Sequence, residues 1–223
     1  MPDQRQNWEA HAAREEARYR DGETRLPGID DPDVRQRQLT RLGNAAGGAG
    51  LALLMAGRRE EAALWFDRAA TRYRESFVDA PPDSWGRPIG ALKARILASD
   101  WDGAAAAARW ALDAGAAAAG SPIGRYAAAL ASLVLGDFEA ARVHADTLRT
   151  RDDFPREVGD ALAFIAAGDL VGYTVAVEAV LDSFATRAEY LEDVPAADTV
   201  IVLQALAAGR GLDVPLASPL LPS

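Results

Sequence analysis

Several residue types that usually carry chemistry are scarce in this chain. It has no cysteine, one lysine (Lys93) and two histidines, His11 and His144. Without cysteine there is neither a disulfide framework nor a thiol nucleophile. The two histidines are far apart, and neither stands in a spacing typical of metal ligands. No glycine-rich phosphate-binding loop is present either. We therefore predict no catalytic residues, no metal site and no cofactor, and expect that the protein is not an enzyme.

Long apolar runs are also missing. The apolar stretches are short and interrupted by charged residues, well below the roughly 20 residues that a membrane span needs. The polar segment 1–7 lacks the apolar centre of a signal peptide. These absences predict a cytoplasmic protein with no membrane association.

The charge balance is acidic. The chain has 24 basic and 33 acidic residues, for a formal net charge of −9. Nucleic-acid binding normally requires a basic face, and anionic membrane surfaces attract basic segments. Both kinds of partner are therefore disfavoured, and a protein partner is expected. The acidic excess by itself mainly favours solubility.

Alanine is the residue in greatest excess. It makes up about a fifth of the 223 residues. Alanine is the best helix former, and its small side chain lets helices approach closely. No segment keeps the strict apolar–polar alternation of a strand for more than a few residues. The composition therefore predicts an all-α fold.

One pattern recurs along the chain: an apolar helix, a tight turn and a second helix. The turns are predicted at positions that are 42, 37, 32 and 41 residues apart, namely Gly57, Ser99, Gly136, Gly168 and Gly209. Repeated helical hairpins are typical of an α-solenoid. We predict an α-α superhelix of about ten helices in antiparallel hairpins, as a single domain over residues 1–223. Residues 1–30 would form an N-terminal capping helix and loop, and residues 212–223 an extended proline-rich tail.

Local signals predict several helix ends. Asp31-Pro32 and Ser121-Pro122 each combine an N-cap residue with proline at the first helical position. The first helix is predicted to end near Arg20, and the ninth to run from Leu170 to Leu191. The aspartates before Pro155 are predicted to cap the eighth helix. The glycines between residues 43 and 50 indicate either a helix break or close packing, and we favour close packing.

The first hairpin resembles the tetratricopeptide repeat superfamily. Gly50, Ala62, Phe66 and Ala69 match the small and aromatic positions of that repeat. Later hairpins keep fewer of these positions, among them Ala104, Ala108, Ala111 and Ala141. The resemblance covers roughly residues 44–209 and implies stacked helical hairpins with a binding role. A plain helical bundle is the alternative.

The last quarter of the chain is similar to a second family. The residues that carry the similarity run from Ala167-Gly168-Asp169 through Arg187, Tyr190, Asp198 and Gly211-Leu212 to the segment 218–222. They resemble the end of immunity protein family 49 of bacterial polymorphic toxin systems. The resemblance implies an all-α protein that binds and neutralises a toxin.

In a tetratricopeptide array, the first helix of each hairpin lines the inner groove. At the equivalent positions this chain places a mostly apolar strip, which consists of Leu51, Leu54, Met55, Ile89, Ile96, Ile123, Leu130, Leu133, Val158, Leu162 and Ile165. An exposed strip of this size would be unfavourable in a monomer, so either the chain or a partner should cover it. We favour the chain, with helix one or the proline-rich tail as the covering segment. The polar residues along the strip, Lys93, Arg125 and Tyr126, are the predicted partner-binding residues.

These observations favour a non-catalytic protein-binding scaffold or adaptor. The alternative is a toxin-neutralising immunity protein that binds one partner through an acidic surface.

Overall fold

A computed structural model of the chain describes residues 4–222, apart from the side chains of residues 4–6 and 191. Within this part of the chain there are ten α-helices, three short 3-10 helices and no strand, so the prediction of an all-α fold is confirmed. The α-helices are α1 (Gln4–Arg25), α2 (Pro32–Met55), α3 (Arg59–Phe77), α4 (Gly86–Leu97), α5 (Trp101–Asp113), α6 (Pro122–Leu135), α7 (Phe138–Arg149), α8 (Arg156–Ala167), α9 (Leu170–Ala185) and α10 (Asp198–Ala208).

The hairpin turns lie where the sequence predicts them. Gly57, Ser99, Gly136 and Gly168 have φ angles of 79°, 57°, 75° and 69°. A left-handed residue ends a helix by turning the chain out of its axis. At the fifth predicted turn α10 ends at Ala208, and the turn begins at Gly209 as predicted. Gly209 keeps a right-handed φ of −59°, and the left-handed residue of this turn is Gly211, with a φ of 69°.

An aspartate follows the turn residue in three of the hairpins. The side chains of Asp100, Asp137 and Asp169 each accept a hydrogen bond from the backbone N–H three residues later, at 2.9, 3.0 and 3.0 Å. Such a bond satisfies one of the free N–H groups of the helix start. The turn residue and the aspartate together therefore end one helix and begin the next.

Two predicted helix ends and one predicted helix cap are wrong. α1 continues to Arg25 because Gly22 packs closely against α2 and does not terminate the helix. α9 ends at Ala185, and the segment beyond it is non-helical, with Glu192 in a left-handed conformation at φ 52°. The eighth helix has no side-chain cap, because Asp153 pairs with Arg151 instead.

The described chain divides into two compact units. Unit 1 comprises the residues up to 99, residues 188–196 and the residues from 219; unit 2 comprises residues 100–187 and 197–218. Within unit 1, each of the helices α1 to α4 packs against the next one along the chain. Within unit 2, the helices α5 to α9 do the same, and α10 contacts α8 and α9. The single domain over residues 1–223 stays a prediction.

Glycine allows the helices of unit 1 to approach closely. The ring of Tyr73 on α3 lies between Gly43 on α2 and Gly90 on α4. A Cβ atom at Gly43 would lie 2.9 Å from the Cδ1 atom of Tyr73, and one at Gly90 would lie 2.7 Å from its Cε2 atom. The hydroxyl of Tyr73 donates to Asn44 Oδ1 over 2.8 Å. α2 is continuous through its glycines, so close packing, and not a helix break, is their role.

A buried carboxylate holds residues 188–196 against α1 in unit 1. Glu15 is fully buried and accepts hydrogen bonds from Arg14 Nε at 2.7 Å and from an Arg18 guanidinium nitrogen at 2.6 Å. Arg18 also pairs with the carboxylate of Glu192, and Arg14 donates to the Glu192 carbonyl oxygen over 2.5 Å. The two arginines therefore connect Glu15 to this segment.

Candidate functional site

The three residues predicted from the sequence do not all belong to one unit. Lys93 lies half-buried on α4 in unit 1. Arg125 and Tyr126 are adjacent on α6 in unit 2. Tyr126 is buried against Phe154, with ring centroids 5.5 Å apart, and Arg125 donates to the carbonyl oxygen of Ala117 over 2.7 Å. The structure thus brings two of them together, and their role in partner binding stays a prediction.

The predicted apolar strip is covered by the chain. Of its aliphatic members, Ile123 is exposed and the others are buried. The chain therefore covers these residues, as expected, and cover by helix one or by the tail stays a prediction. The strip therefore offers little apolar surface to a partner.

Apolar surface is exposed instead on α9 in unit 2. Leu170, Val171 and Val175 have 45%, 76% and 66% of their surface exposed. Val171 and Val175 are four residues apart, so their side chains lie next to each other along one face of the helix. Tyr173 and Val177 on the other side of the helix are fully buried. α9 therefore packs one apolar face into its unit and presents a second one to solvent.

Acidic residues flank this face. Asp169, Glu178 and Asp182 are exposed, and α9 contains no lysine or arginine. Among the described residues, neither Glu178 nor Asp182 forms a side-chain ion pair. The aliphatic side chains of α9 therefore precede two carboxylates that form no ion pair among the described residues.

The beginning of α7 lies close to the beginning of α9. The Arg210 guanidinium lies over the Phe138 ring of α7, 3.6 Å from the ring centroid, and a Cβ atom at Gly168 would lie 3.0 Å from a guanidinium nitrogen of the same arginine. Arg210 therefore bridges the α7 start and the α8–α9 turn. On α7 a shallow depression is lined by Asp137, Glu139, Ala140, Val143 and His144, and Val143 is well exposed.

Arg210 connects the starts of the two helices, and we group the acidic and apolar residues on both helices under the name α7–α9 surface. Its members are Asp137, Glu139 and Val143 of α7, together with Leu170, Val171, Val175, Glu178 and Asp182 of α9. His144 at its edge does not offset the negative charge. Burial, and next the nearby guanidinium of Arg125, lower the pKa of His144 below its ordinary value of 6.5. The imidazole is therefore neutral at pH 7.

The remaining acidic residues do not form a metal centre. Within residues 4–222, no group of three or more histidine, aspartate or glutamate side chains is placed to hold a metal ion. Asp160, for example, pairs with Arg149 and lies 3.6 Å from Arg156. In the same part of the chain, none of the helices has the length and hydrophobicity needed to cross a bilayer.

Comparison with protein-family models, with curated proteins and with solved structures gave no match for this chain. The resemblances to tetratricopeptide repeats and to immunity protein family 49 therefore stay predictions.

Proposed function

We propose that this is a non-catalytic protein-binding protein and that the α7–α9 surface is its docking face. The observation that carries the proposal is the exposure of Val171 and Val175 on neighbouring turns of α9. Exposed apolar side chains surrounded by polar ones are typical of protein interaction sites. Burying an aliphatic side chain stabilises a complex by about 1.5–3 kcal/mol, so two valines and a leucine could anchor a partner.

The acidic flanks indicate the chemistry of the partner. Glu178 and Asp182 would attract basic side chains and would repel the phosphates of a nucleic acid or an anionic membrane. The partner we propose is therefore a protein segment that places apolar side chains on the valines and lysine or arginine beside the carboxylates. A cytoplasmic location belongs to the proposal as well.

A toxin-neutralising immunity protein is the second candidate, favoured by the same acidic surface. The two functions differ in the number of partners. A scaffold binds several proteins, whereas an immunity protein binds one toxin, encoded beside it. Sequencing the neighbouring genes and identifying the captured proteins by mass spectrometry separates them. A single captured protein that is encoded by a neighbouring gene supports the immunity function. Several unrelated captured proteins support the scaffold function.

The docking face is tested by Val175→Lys, which removes an apolar contact and places a positive charge where a basic partner would bind. Leu64→Lys is the matched control, since Leu64 lies on α3 in unit 1 and is 64% exposed, against 66% for Val175. We expect Val175→Lys to weaken binding to the captured partner by about tenfold or more, measured by isothermal titration calorimetry. The control should bind like the original protein.

Added salt should also weaken the complex, because it screens the attraction between the acidic residues of the surface and the basic side chains of the partner. If Val175→Lys binds as tightly as the original protein, or if Leu64→Lys is equally impaired, the α7–α9 surface is not the docking face.

A further inference from the structure

A cleft lies between α1 and α2 in unit 1, and the proposed protein-binding function does not involve it. Its lining includes Arg18, Asp21 and Arg25 from α1 and Gln38 and Arg41 from α2. These residues are three, four or seven positions apart within each helix, so they lie on the facing sides of the two helices. The cleft has a volume of about 160 Å³. Since pockets for drug-sized ligands and cofactors measure about 300–1,000 Å³, it suits a single small group.

Gly22 explains why the two helices form a cleft at this place. A Cβ atom at Gly22 would lie 2.8 Å from Gln38 Nε2 and 2.9 Å from Leu42 Cδ2. The Gln38 amide also donates to the Gly22 carbonyl oxygen over 3.0 Å. This contact fixes the spacing of α1 and α2 and leaves the longer arginine side chains along the cleft.

One of the three guanidinium groups of the cleft has no carboxylate partner among the described residues. Arg18 is paired with Glu15 and Glu192, and Arg25 is paired with Asp21. Arg41 is exposed, and among the described residues it forms no ion pair. Arg18 and Arg25 are therefore already compensated by carboxylates, and Arg41 is the lining guanidinium whose charge is not.

Guanidinium groups suit one class of ligand in particular. Each carries five N–H donors in a planar fork that matches the oxygens of a phosphate or a carboxylate. The Asp21 carboxylate does not use all the donors of Arg25, and those of Arg41 face solvent. A ligand oxyanion could therefore receive charge-assisted hydrogen bonds from two helices at once.

We propose that this cleft binds an oxyanion, the phosphate or carboxylate group of a small ligand, with Arg41 and Arg25 as its main donors. This site is independent of the α7–α9 surface, which belongs to unit 2.

The proposal is tested with inorganic phosphate and with acetate, each titrated at millimolar concentrations into the ¹⁵N-labelled full chain at low ionic strength. We expect saturable changes in the amide resonances of Gly22, Gln38 and Ala45, which border the cleft. Phosphate binding alone indicates a phosphorylated ligand, acetate binding alone a carboxylate ligand, and either result supports the site.

Arg41→Gln should weaken the binding by about tenfold, as expected for the loss of a charge-assisted hydrogen bond. Arg109→Gln is the matched control, because Arg109 is exposed on α5 in unit 2 and has no ion pair among the described residues. Far-UV circular dichroism checks that both variants are folded. The absence of saturable changes with both anions overturns the proposal. It is also overturned if Arg41→Gln binds as well as the original protein or no more weakly than Arg109→Gln.

Discussion

Two glycines one turn apart in α2 should respond in opposite ways to the same substitution. In Gly43→Ala, the new methyl group would lie 2.9 Å from the ring of Tyr73. The ring cannot retreat, because Gly90 touches its other face, where a Cβ atom would lie only 2.7 Å away. At Gly47 the nearest atom to a new Cβ is the Tyr73 hydroxyl oxygen at 4.0 Å, which is an ordinary contact distance.

The expected free-energy changes follow from two opposing terms. Replacing glycine by alanine in a helix interior stabilises the folded state by about 1 kcal/mol. Overpacking a close contact costs about 1–3 kcal/mol. Gly47→Ala has the first term alone and should stabilise the protein by roughly 0.5–1 kcal/mol. Gly43→Ala has both terms and should be less stable than the original protein by about 1 kcal/mol.

Urea denaturation followed by far-UV circular dichroism measures both variants. We expect the midpoint to fall for Gly43→Ala and to rise for Gly47→Ala, with an unchanged slope. The double variant Gly43→Ala/Gly90→Ala should lose more stability than the two single variants together, because the Tyr73 ring is then pressed from both faces. Equal midpoints for Gly43→Ala and Gly47→Ala would refute the argument that Tyr73 fills the space at Gly43.

Two further predictions concern the hairpin turns and the response to pH. Ser99 has a left-handed φ of 57° and Gly136 one of 75°. In urea titrations, Ser99→Gly should therefore raise the free energy of unfolding by about 1 kcal/mol, and Gly136→Ser should lower it by a similar amount. A change of the same sign in both variants would contradict this prediction. Because burial and Arg125 lower the pKa of His144, the unfolded state takes up a proton first as the pH falls. The free energy of unfolding should therefore decrease below about pH 6.5 until His144 is also protonated in the folded protein. His144→Asn should make this decrease shallower. If the pH profile of the variant equals that of the original protein, His144 is not responsible for the decrease.

Features set by neighbouring residues could be predicted from the sequence. The turns at Gly57 and Gly136 depend on local backbone preferences, and so do the caps at Asp31 and Ser121, whose side chains accept hydrogen bonds from the first turn of their helices. The end of α1 was predicted wrongly because Gly22 is both a common helix terminator and a residue that permits close packing. Only the position of α2 decides between these two roles.

The candidate sites depend on contacts between distant residues. α9 is apolar on both sides, so its sequence does not indicate that Tyr173 is buried and Val175 exposed. Arg41 and Arg25 line the same cleft only because α1 and α2 pack side by side. The burial of Tyr126 could not be predicted from its neighbours in the sequence either, because its ring packs against Phe154, which lies 28 positions further along the chain.

Each of the two compact units is built from segments that are not consecutive in the sequence. Residues 188–196, for example, belong to unit 1, although the residues on both sides of them belong to unit 2. No single uninterrupted stretch of the gene therefore encodes either unit. A fragment that ends at residue 99 would lack Glu192, and Arg18 would lose one of its two carboxylates. Exchange of the segment up to residue 99 between genes would therefore separate Arg18 from Glu192.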